Sequence, residues 1–341
     1  MILPGVATDN IAECAAEIKA GELVALPTET VYGLGARADD DAAVAQIFKT
    51  KGRPASHPLI VHVAEAQDAQ HFAATLPDFA QKLITAFWPG PLTIIVPRRA
   101  GVATASAGGQ DSIGLRCPAH PVAHALLLAC AARGVPGVAA PSANQFGRIS
   151  PTTAQHVAQE FGDALTVLDG GACTVGIEST IIDCTRGVPV LLRPGVLERS
   201  TIEAALGQSL LSNEELLAQV THGLQANLHE TPRASGTLEA HYAPKAKLRL
   251  MSAQQLQAAL DLLGAEARHI ATYSRSILHS KSAHIIRRRM PDDAAATAQQ
   301  LFAVLRDFDA QGAQLIWVEI PPEDSAWDGV RDRLERAAAS G

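Results

Sequence analysis

Apolar positions recur along this chain at two spacings, and the two alternate from end to end. Between residues 10 and 20, Ile11, Ala15 and Ile18 share one side of a 3.6-residue turn and predict an amphipathic helix. Gly21 stops it. Residues 23–26 read as a short buried strand, followed by the Pro-Thr-Glu-Thr turn at Pro27–Thr30 and a Gly-rich loop. The next helix spans 41–49, with Asp39 or Asp40 as its cap and Ala42, Val44, Ala45, Ile47 and Phe48 on its apolar face. Pro54 and Pro58 break any continuation, and 59–63 is a strand. A helix over 76–87 ends at Trp88-Pro89-Gly90-Pro91. Further strands are expected at 92–96, 113–116, 138–140, 164–168, 179–184 and 188–193, and helices at 121–132 and 153–161. The order lacks strict β-α-β alternation, which predicts an α/β domain built on a twisted, mixed sheet.

A weak helical pattern continues over 201–224. The segment 225–245, QANLHETPRASGTLEAHYAPK, is polar and carries Pro and Gly, as linkers do. A cleaner alternation follows: strands at 247–251, 269–273, 284–288 and 314–320, with helices at 253–263, 293–308 and 327–339. That is the pattern of a small, parallel, doubly wound (Rossmann-like) domain, here without a G-x-G-x-x-G or Walker A loop. The expected division is 1–205, a linker over 206–246, and 247–341.

Composition narrows the classes. Of 341 residues, 47% are hydrophobic and 18% charged, enough for packed cores and too apolar for extended disorder. The formal net charge of −7 weighs against a protein that coats nucleic acid, while leaving room for a local basic pocket. The five cysteines are odd in number and form no C-x-x-C, so reduced core thiols are expected rather than disulfides or a zinc site. The first ten residues show neither a basic flank nor a long apolar run, and no stretch reaches the length of a membrane span. Together these predict a cytoplasmic protein.

The chemistry-bearing residues are cationic and hydroxylic. Lys49, Lys51 and Arg53 precede a buried strand, and alternate residues of an extended segment face the same way, so Lys51 and Arg53 could serve one anion site; a solvated basic turn is the plain alternative. Pro141-Ser142-Ala143-Asn144 follows an apolar strand and forms either a polar loop for phosphate or ribose, or an ordinary turn. Ser150 is either a helix cap or a ligand contact. Arg116, in SIGLRCP, and Arg193, in VLLRPG, lie in apolar strands and require anionic partners, which could be a structural Asp or Glu or a ligand carboxylate. Gly176-Ile177-Glu178-Ser179-Thr180 is a further hydroxyl-bearing turn. There is no G-x-S-x-G elbow, H-E-x-x-H or EF-hand loop, so charge stabilisation in phosphoryl or nucleotidyl transfer fits better than nucleophilic catalysis.

In order along the chain, PTETVYGLG, KGRP with PLIVH, WPGPLT, GLRCP, APSAN, GIESTIID, LLRPG and SGTLEAHYAP resemble the threonylcarbamoyl-AMP synthase family, in its long form that joins a YrdC-like domain to a smaller C-terminal domain. The resemblance implies that L-threonine, bicarbonate (or carbon dioxide) and ATP give threonylcarbamoyl-adenylate and pyrophosphate. The product would pass to a separate tRNA threonylcarbamoyl transferase complex. Carried over position by position, it implies Lys51 and Arg53 as catalytic residues on the phosphates, and Thr30, His62, Arg116, Ala140 and Ser179 around threonine. It places Arg53, His57, Ser112, Ser142, Asn144, Ser150, Arg193 and Tyr242 on the ATP side. Mg²⁺ is expected to ride mainly on the ATP phosphates, with no protein metal site. His57 stands where the family usually has Asn, and the linker reads SGTLEAHYAP in place of a more common Pro-Gly-Met form. Residues 235–244 are then expected to cross the mouth of the site as a lid, with Tyr242 over the nucleotide. The main alternative is a double-stranded RNA or tRNA binder using the basic cavity. A carbamoyl-transfer maturation protein is a third, but its usual zinc-finger cysteines are absent.

Overall fold

The structure, a computed structural model, describes residues 1–221, 231–237 and 240–340. The chain forms two compact units. The first comprises the described residues of Met1–Phe146, Pro151–Thr174 and Glu178–Thr237; the second comprises Gly147–Ser150, Val175–Ile177 and the described residues from 240 onward.

Among the described residues of the first unit, ten strands pair into one mixed sheet. In chain order they are β1 (Ile2–Pro4), β2 (Val24–Leu26), β3 (Gly33–Arg37), β4 (Ile60–His62), β5 (Leu92–Pro97), β6 (Ser112–Arg116), β7 (Val138–Ala139), β8 (Thr166–Asp169), β9 (Thr180–Asp183) and β10 (Val190–Arg193). Across the sheet the order is β1-β8-β2-β3-β7-β4-β6-β5-β9-β10. Helices pack on both faces, because successive strand residues point to opposite sides. Val24 and Leu26 join one core with the helices Thr8–Lys19 and Pro121–Ala131, while Ala25 joins another with Asp41–Lys51, Asp78–Phe87, Ala154–Phe161 and Arg199–Leu206.

Several expectations change. The Gly-rich stretch after Tyr32 is a strand, β3. Its glycines suit close packing rather than a loop: a Cβ on Gly35 would lie 2.7 Å from Leu26 Cδ2 and 2.9 Å from Val138 Cγ1. The helix expected to end at residue 49 runs on through Lys51, capped by Asp40 at its start and by left-handed Gly52 (φ 63°) at its end. Lys51 is therefore helical, and the extended-segment argument for Lys51 and Arg53 does not hold. Strand β1, three mostly exposed residues with no periodicity, had no sequence signal.

The pattern over 201–224 resolves into two helices, Arg199–Leu206 and Asn213–Thr221, interrupted at Gly207; residues 222–224 lie outside the described residues. Nor is 206–246 one separate linker. Its described part up to Thr237 groups with the first unit and its described part from 240 with the second, while 222–230 and 238–239 lie outside the described residues.

In the second unit, β11 (Lys247–Met251), β12 (Ile270–Ser274), β13 (Ile286–Arg289) and β14 (Leu315–Glu319) form a wholly parallel sheet of order β11-β14-β12-β13. Every residue of β12 is buried, as befits an inner strand, whereas Arg287, Arg288 and Arg289 on the edge strand β13 are exposed, a charge pattern that discourages edge-to-edge pairing. No described helix is long and apolar enough to cross a membrane.

Candidate active site

The turn between β2 and β3 is built by its hydroxyls. Thr28 Oγ1 donates to Val31 O (2.6 Å) and accepts from the amides of Thr30 (3.2 Å) and Val31 (3.1 Å). This local closure, an ST-type turn, fixes the backbone on either side of Glu29. Glu29 in turn answers the question posed by Arg116. Arg116 Nη2 donates to Glu29 Oε1 at 2.6 Å, Nη1 to Thr30 Oγ1 at 2.8 Å, and Nε to Gly90 O at 3.2 Å. Glu29 Oε2 also accepts from the Ala119 amide (3.2 Å). Burial alone would raise the Glu29 carboxyl; the Arg116 guanidinium and these hydrogen bonds outweigh it and hold the carboxyl below its ordinary value.

His62 stands opposite Arg116 in the β4–β6 register. It is buried, and its Nδ1 has no hydrogen-bond partner among the described residues. Burial and the neighbouring Arg116 charge push its pKa down to about 3, so the ring is a neutral imidazole at any ordinary pH.

Beyond β7, Ala140 enters the loop that carries Ser142 and Asn144. Leu34 N donates to Pro141 O (2.7 Å) and Ala143 N to Tyr32 O (2.8 Å), so the loop is tied to β3. Lys51 fastens it from the other side: Nζ donates to Ser142 O at 2.5 Å and to Asn144 O. Lys51 is 2% exposed. Burial depresses its pKa well below the usual amine value, as does Arg53, against a smaller opposing pull from Glu160.

Arg53 Nη2 donates to Pro58 O (3.0 Å) and to Ser235 Oγ (3.5 Å), and its guanidinium lies over Phe146, 5.8 Å from the ring centroid. His57 meets the same ring edge-on at 5.5 Å. Its pKa is lowered by burial and by Arg53 and Arg233. Arg193 donates to Ser179 O (2.9 and 3.1 Å), to Ser179 Oγ (3.2 Å) and to Ser235 O (2.7 Å). Ser179 Oγ also pairs with Thr93 Oγ1 at 2.8 Å. Ser112 lines a small cavity with Thr93, Gly114, Ile181 and the segment Arg233–Ser235. Gln110 clasps that segment: its Oε1 accepts from Arg233 N (2.7 Å) and its Nε2 donates to Arg233 O (3.2 Å).

Thr30, Lys51, Arg53, His57, His62, Ser112, Arg116, Ala140, Ser142, Asn144, Ser179 and Arg193 thus all belong to the first unit, on or beside the adjacent strands β3-β7-β4-β6-β5-β9. Ser150 and Tyr242 belong to the second. Arg306 donates to the carbonyls of Ile149 and, at 3.5 Å, of Ser150. Tyr242 is fully buried, stacked on Phe302 (centroids 5.5 Å apart) with the Arg333 guanidinium 5.2 Å from its ring. It therefore packs into the core of the second unit. Tyr242→Leu is expected to lower stability by about 1–3 kcal/mol through the lost ring stacking and cation–π contact, read as a shift of the urea midpoint at unchanged slope. An unmoved midpoint would show that this packing contributes nothing.

Glu29, Thr93, Gln110 and Arg233 were not picked out by sequence. The available hint was that a strand arginine needs an anion and that PTET holds a carboxylate, but Glu29 and Arg116 lie 87 positions apart and no local pattern joins them. Among the described residues there is no group of three His, Cys, Asp or Glu side chains able to hold a metal ion.

The comparisons with known proteins agree along the chain. The family described as Telomere recombination matches residues 16–195, and the family described as Threonylcarbamoyl-AMP synthase, C-terminal domain, matches 198–339. The Threonylcarbamoyl-AMP synthase of Pyrococcus abyssi is 35% identical, with 94% of this chain and 92% of that protein aligned. The Threonylcarbamoyl-AMP synthase of Bacillus subtilis is also 35% identical, over 96% of this chain and 93% of that one. The crystal structure of P. abyssi Sua5 complexed with L-threonine superposes with a TM-score of 0.84 at 34% identity, covering 98% of this chain and 95% of that one. With both family segments in sequence and such identity over more than nine-tenths of its length, the chain belongs to the threonylcarbamoyl-AMP synthase family.

Proposed function

We propose that this synthase joins L-threonine, bicarbonate or carbon dioxide, and ATP into threonylcarbamoyl-AMP, with the cations of the first unit as the machinery. The threonine amine and bicarbonate form a carbamate with loss of water. A carbamate oxygen then attacks the α-phosphorus of ATP, and pyrophosphate leaves. Threonine carboxylate, carbamate and triphosphate must all come close. Two unit charges 4 Å apart repel by about 4 kcal/mol at an effective dielectric near 20. The observation that carries the reading is the set of buried guanidiniums at Arg53, Arg116 and Arg193, on or beside adjacent strands, in a chain of net charge −7. In the reading, Arg116 with Thr30 and neutral His62 takes threonine, beside Ala140 and Ser179. Arg53, Arg193, Ser112, Ser142, Asn144 and His57 take ATP, with Ser150 and Tyr242 assigned to the ATP side by resemblance alone. Lys51 acts by holding the Ser142–Asn144 loop. The described residues offer no ligand cluster for Mg²⁺, which would be carried by phosphate oxygens and water; no step is routed through it.

The product would feed a tRNA threonylcarbamoyl transferase complex, without stable binding of nucleic acid by this chain. All five cysteines are buried thiols, which suits a reducing compartment, and we place the protein in the cytoplasm on that ground. Mass spectrometry of the full chain incubated with ATP, L-threonine and bicarbonate is expected to show the adenylate, formed only when all three are present; pyrophosphate release that ignores threonine sinks the reading. Arg53→Ala removes a charge-assisted phosphate contact, a loss of about 1.5–3 kcal/mol. Turnover at limiting ATP should fall about tenfold to a hundredfold at that scale, and normal turnover would take Arg53 off the phosphates.

A further inference from the structure

Glu29 is the anionic partner of a buried arginine at the candidate site. A guanidinium carries five N–H donors. On Arg116, Gly90 O takes the Nε donor, Thr30 Oγ1 takes one on Nη1 and Glu29 Oε1 takes one on Nη2. Two donors remain, one on each Nη, as many as the two oxygens of a carboxylate can accept. Glu29 is itself fixed twice over, by the Thr28-built turn around its backbone and by the Ala119 amide on Oε2.

We propose that Glu29 is a positioning residue for the amino-acid substrate: it locks Arg116 in one orientation, so that one N–H on each Nη is left for the α-carboxylate. This rests on the reading of Arg116 as that carboxylate's partner. An arginine without Glu29 must be ordered by the substrate itself, and the ordering cost is taken from affinity. The effect acts through the carboxylate, so it vanishes for a substrate analogue that lacks one.

The experiment is calorimetric titration of the full chain with L-threonine, L-threoninamide and ATP. E29A is expected to weaken L-threonine about tenfold, the scale for losing one preordered side chain, with ATP and L-threoninamide unmoved. E29Q keeps one acceptor for Arg116 but turns its NH2 toward the Ala119 amide, so its threonine affinity is expected to fall between those of E29A and the parent. A purely structural role would weaken all three ligands together. Unaltered threonine affinity in E29A, or an equal loss for threoninamide, overturns the proposal. If E29A does not fold, E29D against E29Q decides: the Asp is one methylene too short to hold Arg116 in place and must bind threonine more weakly than E29Q, and the reverse order overturns the proposal. R116Q separates the layers. Undiminished threonine affinity there removes the reading of Arg116 and the proposal with it, whereas a loss in R116Q with none in E29A removes only the proposal.

Discussion

Arg116→Met should cost the fold about 3–5 kcal/mol, the scale for stranding one member of a buried ion pair, and abolish measurable L-threonine binding. The pair is close, 2.6 Å, and its side chains are only 4% and 9% exposed. Methionine fills much of the same volume but donates nothing. Glu29 then keeps a carboxylate with only the Ala119 amide to serve it, and Thr30 Oγ1 and Gly90 O each lose a donor. The deficit depends on pH, and the sign follows from the direction of the Glu29 shift. In the parent protein the carboxyl lies below its ordinary 4.5, so the pair's contribution is complete above that value and is lost as the pH falls through the lower, folded-state value. In the variant the pull of Arg116 is gone, and burial, the largest influence on this carboxyl, raises it against the backbone hydrogen bonds that remain. The stability gap between parent and variant should therefore be widest near neutrality, begin to close as the pH falls through the variant's raised value, and finish closing through the parent's lowered one. Urea melts of both proteins from neutral to acid pH measure it. An equal gap at every pH would mean that Glu29 is not the group left unpaired.

Lys51→Met is the second large effect. The lysine's side-chain nitrogen is interior and spends two donors on Ser142 O and Asn144 O. Removing them leaves two buried carbonyls short of a donor, at about 1–3 kcal/mol each. Part of that is returned because methionine escapes the desolvation that depresses the lysine. A net loss of about 2–4 kcal/mol is expected on that accounting. Activity should fall further than stability, because the loop that carries Ser142 and Asn144 loses its side-chain tether to the helix Asp41–Lys51 and keeps only the backbone bond from Phe146 N to Lys51 O. Melting temperature and single-turnover rate, measured on the same preparation, test both halves. A variant that melts with the parent and turns over normally would show that the loop holds itself.

Local chemistry was legible where it is self-contained. The start of the helix at Asp41 follows from an Asp able to reach its own first-turn amides, and Asp40 accepts from Ala42 N and Ala43 N. The second unit's alternation of strands and helices is reproduced almost element by element, because each strand is flanked by turn residues and each helix has one apolar face. Legibility failed where tertiary packing overrode local pattern. Gly33 and Gly35 look like a loop but sit in a strand pressed between its neighbours. Tyr242 lies in a stretch whose polar composition reads as linker, yet its ring packs in the second unit's core, with a left-handed backbone (φ 61°). The segment Arg233–Ser235 looks like free linker but is clasped by Gln110, Arg53 and Arg193.

By itself, the order of residues determined the kinds of element, the α/β class of both halves, the family and the cationic character of the chemistry. Each of these depends on spacing within a few residues, or on short motifs in a fixed order. Only the tertiary structure decided which charge meets which: that Arg116 is answered by Glu29, that Lys51 turns inward, and that Arg193 holds Ser179 and Ser235. Those partners are brought together by strand order and register, and helical or strand periodicity carries no information about residues that meet across a sheet after tens of intervening positions.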